Sequence, residues 1–134
     1  MKMIAWNCQG AGSVTFRNHA YELHRRHRPN ILIIIEPRIA VARAQAVINT
    51  LLYDHSQRVD PTGFFGGIWL LWNESPSLKV EILTHSEYSI HALVKVPSPS
   101  LSFLLTDIYA SPNFNKRKLF WDYLQTLVTA ISLP

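Results

Sequence analysis

Cysteine is nearly absent from this sequence: Cys8 stands alone, so no internal disulfide can form and no cysteine-rich zinc site can be built. Charge is scarce too. Asp, Glu, Lys and Arg make up 16% of the residues, against roughly 25% in ordinary globular domains, and a complete soluble domain would be short of surface charge. Long apolar runs are missing as well: the stretch Ile31 to Ile35 falls far below the roughly 20 residues a bilayer-crossing helix needs. The opening residues, Met1 to Asn7, run straight into Cys8-Gln9-Gly10 and lack the apolar segment of a secretory signal. Together these absences predict an intracellular protein that is not secreted and has no transmembrane helix.

What is present fits one domain. The chain has 134 residues and 48% hydrophobic content, enough for a real core. The formal charge of +4, with six neutral histidines, mildly favours a polyanionic partner through phosphate neutralisation. Met3 to Trp6 reads as a short strand, followed by a Gly10-Ala11-Gly12-Ser13 turn with a helix cap at Ser13 or Thr15. Phe16, Ala20, Leu23 and His27 share one helical face, and Pro29-Asn30 ends that helix. Ile31 to Ile35 has no polar alternation, as expected of a strand covered on both faces. Val41, Ala44, Ile48 and Leu51 mark a second helix, so the order is β-α-β-α and the sheet starts parallel.

Beyond Gly66-Gly67 the pattern changes to strands over Ile68–Trp72, Lys79–Leu83, Ser89–Val96 and Ser102–Tyr109. A last helix follows, capped by Asn115 and facing the core with Leu119 or Phe120, Leu124, Leu127 and Ile131. On pattern alone this is a mixed α/β layer with one sheet and two or three helices.

In open α/β sheets, functional side chains collect at the carboxyl ends of strands. Asn7, Glu36 and Tyr109 hold such positions here. A carboxylate at the end of a buried strand needs a compensating partner. For Glu36 that partner is either a divalent cation such as Mg²⁺, which takes one or two carboxylates plus water and phosphate oxygens, or Arg38 two residues on. Asn7 either holds a phosphate oxygen or closes the Cys8-Gln9-Gly10 turn. Tyr109 either donates to a phosphate or packs at its strand end. Asp107 falls on the Tyr109 side of its strand by alternation, as a metal ligand or as half of a structural ion pair.

Four ordered motifs, Trp6-Asn7-Cys8-Gln9-Gly10, Ile35-Glu36-Pro37-Arg38, Gly66-Gly67-Ile68-Trp69-Leu70-Leu71 and Ile108-Tyr109-Ala110-Ser111-Pro112-Asn113, resemble the endonuclease/exonuclease/phosphatase superfamily. The likeness is greatest to the N-terminal half of the endonuclease domain in plant LINE-type (non-LTR) retrotransposons, and it covers essentially the whole chain. The resemblance implies an α/β fold that is half of a four-layer αββα, DNase I-like sandwich, with a mixed sheet and flanking helices. It also implies hydrolysis of DNA phosphodiesters with Mg²⁺ or Mn²⁺. Asn7 then assists at the scissile phosphate, Glu36 binds the metal, Tyr109 lies near the phosphate, and Asn113 and Arg117 contact substrate or support the site. Gln9 stands where abasic-site repair members carry Asp, which favours the retrotransposon branch, and Pro37 replaces a common Thr.

Family members continue into Gly-Asp-Phe-Asn and Ser-Asp-His motifs that supply the water-orienting carboxylate and the reaction-centre histidine; neither occurs in these 134 residues. The expectation is a partial domain over residues 1–134, with little or no cleavage of its own, since general acid–base chemistry alone contributes about 10²–10⁴ in rate. Such a half is expected to supply mainly one of the two sheets, leaving an apolar face uncovered and open to self-association. The competing reading is a non-catalytic module that binds nucleic acid or protein. The basic stretch His24 to Arg28 is read either as a phosphate-contacting stripe or as a solvated helix end. His19, His55, His85 and His91 show no zinc spacing, and Trp69, Trp72 and Trp121 are read as core or sheet-face aromatics.

Overall fold

The structure is a computed structural model describing residues 1–63 and 65–134. Its elements run β1 (Met3–Asn7), α1 (Val14–His27), β2 (Ile31–Ile35), α2 (Val41–Asn49), β3 (His55–Val59), β4 (Ile68–Trp72), β5 (Lys79–Ser86), β6 (Ser89–Val96), β7 (Leu101–Ile108) and α3 (Phe114–Ala130). The strands form two sheets, one ordered β1-β2-β4-β3 and the other β5-β6-β7. That overturns the expectation of a single sheet: this stretch of chain supplies strands to both.

The apolar run of β2 explains the larger sheet. Parallel strands need a crossover, which α1 provides between β1 and β2. With β4 pairing antiparallel on the other side, β2 is central and must be apolar on both faces. Leu32, Ile34, Trp69 and Leu71 point toward the helices and meet Phe16, Ala20, Ala44 and Ile48. Phe16 stacks on Trp6 at 5.2 Å and meets Trp69 edge-on at 6.3 Å. The alternate residues Ile31, Ile33, Ile68, Leu70 and Trp72 face the smaller sheet and meet Leu78, Val80, Ile90, Ala92 and Val94. The inner face of the larger sheet is thus covered where β2, β4 and β3 lie. β1 is the exception: Ile4 and Trp6 pack toward the helices, while Met3, Ala5 and Asn7 on the opposite face are exposed.

Strand β3, His55-Ser56-Gln57-Arg58-Val59, has no apolar alternation, and its pattern announced no strand. It forms because β4 offers it a free antiparallel edge. The turn of the β5–β6 hairpin is Glu87-Tyr88, so β5 extends past Leu83 to Ser86, with an irregularity between Ile82 and Thr84. The N-cap of α1 is Ser13, whose hydroxyl accepts from the Phe16 N–H at 3.0 Å. The N-cap of α3 is Asn113, two residues earlier than expected. Helix α3 buries Phe120 but leaves Leu119 and Trp121 exposed, so Trp121 is a surface aromatic. Tyr123 of α3 reaches His91 on the outer face of the smaller sheet at 3.3 Å. No helix among the described residues is long and apolar enough to cross a membrane.

Candidate functional site

Register brings the first two site residues together. Asn7 and Ile35 are paired across the parallel β1–β2 ladder, so Asn7 and Glu36 leave adjacent strands at the same carboxyl end. The exits are stitched: the Cys8 N–H donates to the Ile35 carbonyl at 3.1 Å, the Ala11 N–H to Pro37 at 2.6 Å, and the Glu36 N–H to the Gly67 carbonyl at 3.2 Å. Gln9, Glu36 and Arg38 all adopt left-handed φ values of 51°, 56° and 42°, beside Gly66 at 95° and Gly67 at 89°. Non-glycine residues avoid this region because Cβ crowds the backbone, and such strain gathers where surrounding structure over-determines it, often at functional sites.

The Glu36 carboxylate is 14% exposed and accepts from the Arg38 guanidinium at 2.6 Å, while the Arg38 side chain is 39% exposed. Arg38, two residues along the chain, is thus one partner of the Glu36 carboxylate. The Arg38 guanidinium also lies over the Phe65 ring at 5.8 Å.

Tyr109 follows β7 and is held by its N–H, which donates to the Tyr88 carbonyl at 2.9 Å. Its ring lies against Gly66, where an added Cβ would stand 3.3 Å from Tyr109 Cε1. Burial raises the phenol pKa; the Glu36 carboxylate adds to the rise and Arg38 works against it. The Gly66-Gly67 turn links Tyr109 to Glu36, with Gly66 against the Tyr109 ring and the Gly67 carbonyl accepting from the Glu36 N–H. Asn113 shares a hollow of about 210 Å³ with Tyr109, Tyr88 and Lys116. A larger hollow of about 470 Å³ lies beyond Arg38, against Pro61 and Phe65, and has neither Asn7, Glu36 nor Tyr109 in its wall.

The two remaining expected residues are fasteners. Asn113 Oδ1 accepts from the Lys116 N–H at 3.1 Å, capping α3. Arg117 Nη1 donates to the Ser111 and Pro112 carbonyls at 2.9 and 2.7 Å, which ties the β7–α3 loop to the helix. Arg117 stands outside the wall of the Tyr109 hollow.

Among the described residues Asp107 joins no group of three potential metal ligands and no ion pair. It is 4% exposed on the inner face, in register with Ile90; Oδ2 has no hydrogen-bond partner and burial lifts its pKa to about 7. In the basic stretch at the end of α1, Arg25 and Arg26 both bond Glu22, so that end is partly self-neutralised. Lys116, for which no sequence pattern spoke, joins the wall of the Tyr109 hollow, and the Gly66-Gly67 motif visible in the sequence forms the clasp on Glu36 and Tyr109.

The Glu36 carboxylate is bonded to a guanidinium, and among the described residues no three His, Cys, Asp or Glu side chains converge; a Mg²⁺ ion commonly takes one or two protein carboxylates, with water and phosphate oxygens completing its shell.

Two sheets pack through an apolar interior, with α1 and α2 against the outer face of the larger one and Asn7 and Glu36 at the carboxyl end of the parallel pair β1–β2. Among solved structures the chain is similar to the crystal structure of the AP endonuclease LMAP from Leishmania major, with a TM-score of 0.58 and 17% identity over 81% of this chain and 40% of that one. The chain therefore spans less than half the length of that enzyme, and the likeness is one of fold. No protein-family model matches the chain, and no curated protein matches it.

Proposed function

We propose that residues 1–134 are the N-terminal half of a DNase I-like, metal-dependent phosphodiesterase domain of the retrotransposon-endonuclease kind, with DNA as substrate, and that by themselves they do not cleave. The observation that carries this reading is the meeting of Glu36 and Tyr109 at the Gly66-Gly67 turn, with Asn7 leaving the adjacent strand at the same end, on strained and stitched backbone. In this reading Asn7 and Tyr109 meet the phosphate, Asn113 and Lys116 line its approach, Arg117 holds the loop, and Glu36 contributes one ligand to Mg²⁺ or Mn²⁺. The other ligands come from outside these residues, and the complete domain is the four-layer αββα sandwich.

The alternative is a non-catalytic module that holds nucleic acid or a protein, favoured by the Glu36–Arg38 pair, which satisfies the carboxylate without a metal. The test is plasmid nicking in Mg²⁺ or Mn²⁺ beside Glu36→Ala and chelator controls, with binding to a labelled duplex followed by fluorescence anisotropy. The expected result is no nicking, together with salt-dependent binding. Nicking that needs both metal and Glu36 refutes the claim of inactivity; no binding at low salt from folded protein refutes the nucleic-acid reading.

A further inference from the structure

The outer face of the smaller sheet carries a polar cluster that the candidate site does not use. Thr84 and Ser86 of β5, Ser89 and His91 of β6 and Thr106 of β7 share that face, since Thr84 and Thr106 pair with His91 and Ser86 pairs with Ser89. His91 is 1% exposed and Ser89 is fully buried. Their hydrogen bonds run in a chain. The Tyr88 N–H donates to Ser86 Oγ at 3.3 Å, Ser86 Oγ lies 2.7 Å from Ser89 Oγ, Ser89 Oγ lies 2.9 Å from His91 Nε2, and His91 Nδ1 lies 3.0 Å from Thr106 Oγ1. Helix α3 closes the chain from above: the Tyr123 hydroxyl is 3.3 Å from the same Nε2, with the two rings edge-on at 5.8 Å.

A neutral imidazole offers one donor and one acceptor, whereas an imidazolium offers two donors and no acceptor. With its proton on Nδ1, donated to Thr106, the neutral ring accepts at Nε2, where Ser89 and Tyr123 meet it. The imidazolium accepts from neither; its Nε2–H goes to Ser89, the nearer oxygen, and Tyr123 loses its bond to the ring. Charge adds to the effect, because a buried cation is costly without a paired carboxylate. Tyr123 is the titratable group that faces the ring. Glu87 and Lys116, of opposite sign, line the hollow beside Ser86 and Tyr123 without bonding the ring. Asp122 is exposed on α3, Lys95 and Glu81 farther along the face pair with each other, and Asp107, in register with Ile90, lies on the opposite face of the sheet. Burial accordingly holds the His91 pKa below 6.5.

Water relieves that cost if α3 lifts, and α3 is lightly seated: Phe120, edge-on to Tyr88 at 6.2 Å, is its one buried side chain. The helix matters to the candidate site because its cap, Asn113, and Lys116 in its first turn both stand in the wall of the Tyr109 hollow.

We propose that His91 is a pH-sensitive latch on α3: neutral, it seats the helix through Tyr123; protonated, it lets the helix lift from the smaller sheet and carry Asn113 and Lys116 away from Tyr109. The latch follows from the geometry of this face and is independent of what the hollow binds.

The experiment is amide hydrogen exchange on the full chain at pH 7 and pH 5, expressed as protection factors so that the intrinsic pH dependence of exchange cancels. It is run on the parent and on His91→Gln, whose amide keeps a donor and an acceptor but does not titrate. In the parent, protection over α3 is expected to fall about fivefold from pH 7 to pH 5 relative to that of Ile33 and Leu70 in the larger sheet; in His91→Gln the ratio is expected to stay constant. Referring α3 to those amides removes the change in global stability, to which Asp107 contributes with the opposite sign. No loss in the parent, equal loss in α3 and the larger sheet, or equal loss in both proteins overturns the proposal. Should His91→Gln fail to fold, the parent decides by itself. The His91 ring, followed by its imidazole resonances, must titrate below 6.5 with the same midpoint as the loss over α3. Midpoints that differ assign the loss to another group, and the proposal fails.

Discussion

Substituting Asp107 by Asn changes one proton's worth of charge in the interior and leaves the shape nearly untouched. Asp107 lies between the sheets with Oδ2 unpartnered, and its pKa is raised by burial from 3.8 to about 7. A raised folded pKa means that the folded state holds the proton more tightly than the unfolded one. The stabilisation is therefore fully present below about pH 4 and is lost as pH rises through about 7. At about 1.4 kcal/mol per pH unit the full loss is about 4 kcal/mol, of which about 2–3 kcal/mol falls between pH 5 and 8.

His91 works the other way: burial lowers its pKa from 6.5, so its contribution grows as pH rises through the same range. The difference between parent and Asp107→Asn isolates the carboxyl from it. Urea unfolding followed by tryptophan fluorescence is the assay. With a slope of about 1.5 kcal/mol/M, the parent midpoint relative to that of the variant should fall by roughly 1.5–2 M from pH 5 to pH 8. Leaving an amide donor unbonded costs about 1–3 kcal/mol, so Asp107→Asn is expected to match the parent to within about 1 kcal/mol at pH 5 and to be the more stable protein at pH 8. A relative midpoint that does not move with pH would show that the carboxyl is solvated or paired, and would refute the reasoning.

Two other perturbations test the site's scaffold. Gly67→Ala places a Cβ 3.0 Å from Pro37 Cγ at a φ of +89° and is expected to cost about 2 kcal/mol or more, read as a lowered urea midpoint; an unchanged midpoint would mean that the clasp on Glu36 is loose. Arg38→Ala strips the half-buried Glu36 carboxylate of its partner and should cost about 1–3 kcal/mol at neutral pH. Most of that loss should be recovered in the Arg38→Ala, Glu36→Gln double variant; additive losses in the double-mutant cycle would show the pair to be uncoupled.

The larger sheet was readable because its signals are local. Five consecutive apolar, mostly β-branched residues at 31–35, bounded by Pro29-Asn30 and Pro37, read as a strand with two covered faces, and the helix between β1 and β2 supplies the crossover that parallel pairing needs. The smaller sheet's strands were equally visible, Ser89–Val96 to the residue, but not their membership in a separate sheet. Strand alternation says which side chains share a face and is silent about which sheet that face meets; the pairing of inner faces is a property of Ile33 and Leu70 meeting Ile90 and Ala92 across the interior. β3 was illegible because its stability comes from a neighbour's unpaired backbone and owes nothing to its own residue pattern.

At the candidate site, the sequence located the strand ends but not the posture of the residues on them. Asn7, Glu36 and Tyr109 were locatable because strand ends are locatable. The left-handed backbone at Gln9, Glu36 and Arg38 was not, since each of these residues disfavours that conformation and only the stitching to Ile35, Pro37 and Gly67 holds it. Glu36 shows why pattern alone leaves the chemistry open. A carboxylate at the end of a buried strand calls for a positive partner, and a metal ion and a guanidinium answer the same demand. The left-handed turn at Glu36 and Arg38 brings the guanidinium back onto the carboxylate, so a cation arriving from solution has to displace Arg38 or share Glu36 with it. Arg38→Ala therefore separates the two readings at the carboxylate itself: if the residue serves only to satisfy Glu36, its removal costs stability alone, whereas if it holds the place of an ion, Mn²⁺ should restore part of that stability to Arg38→Ala and none to the double variant with Glu36→Gln.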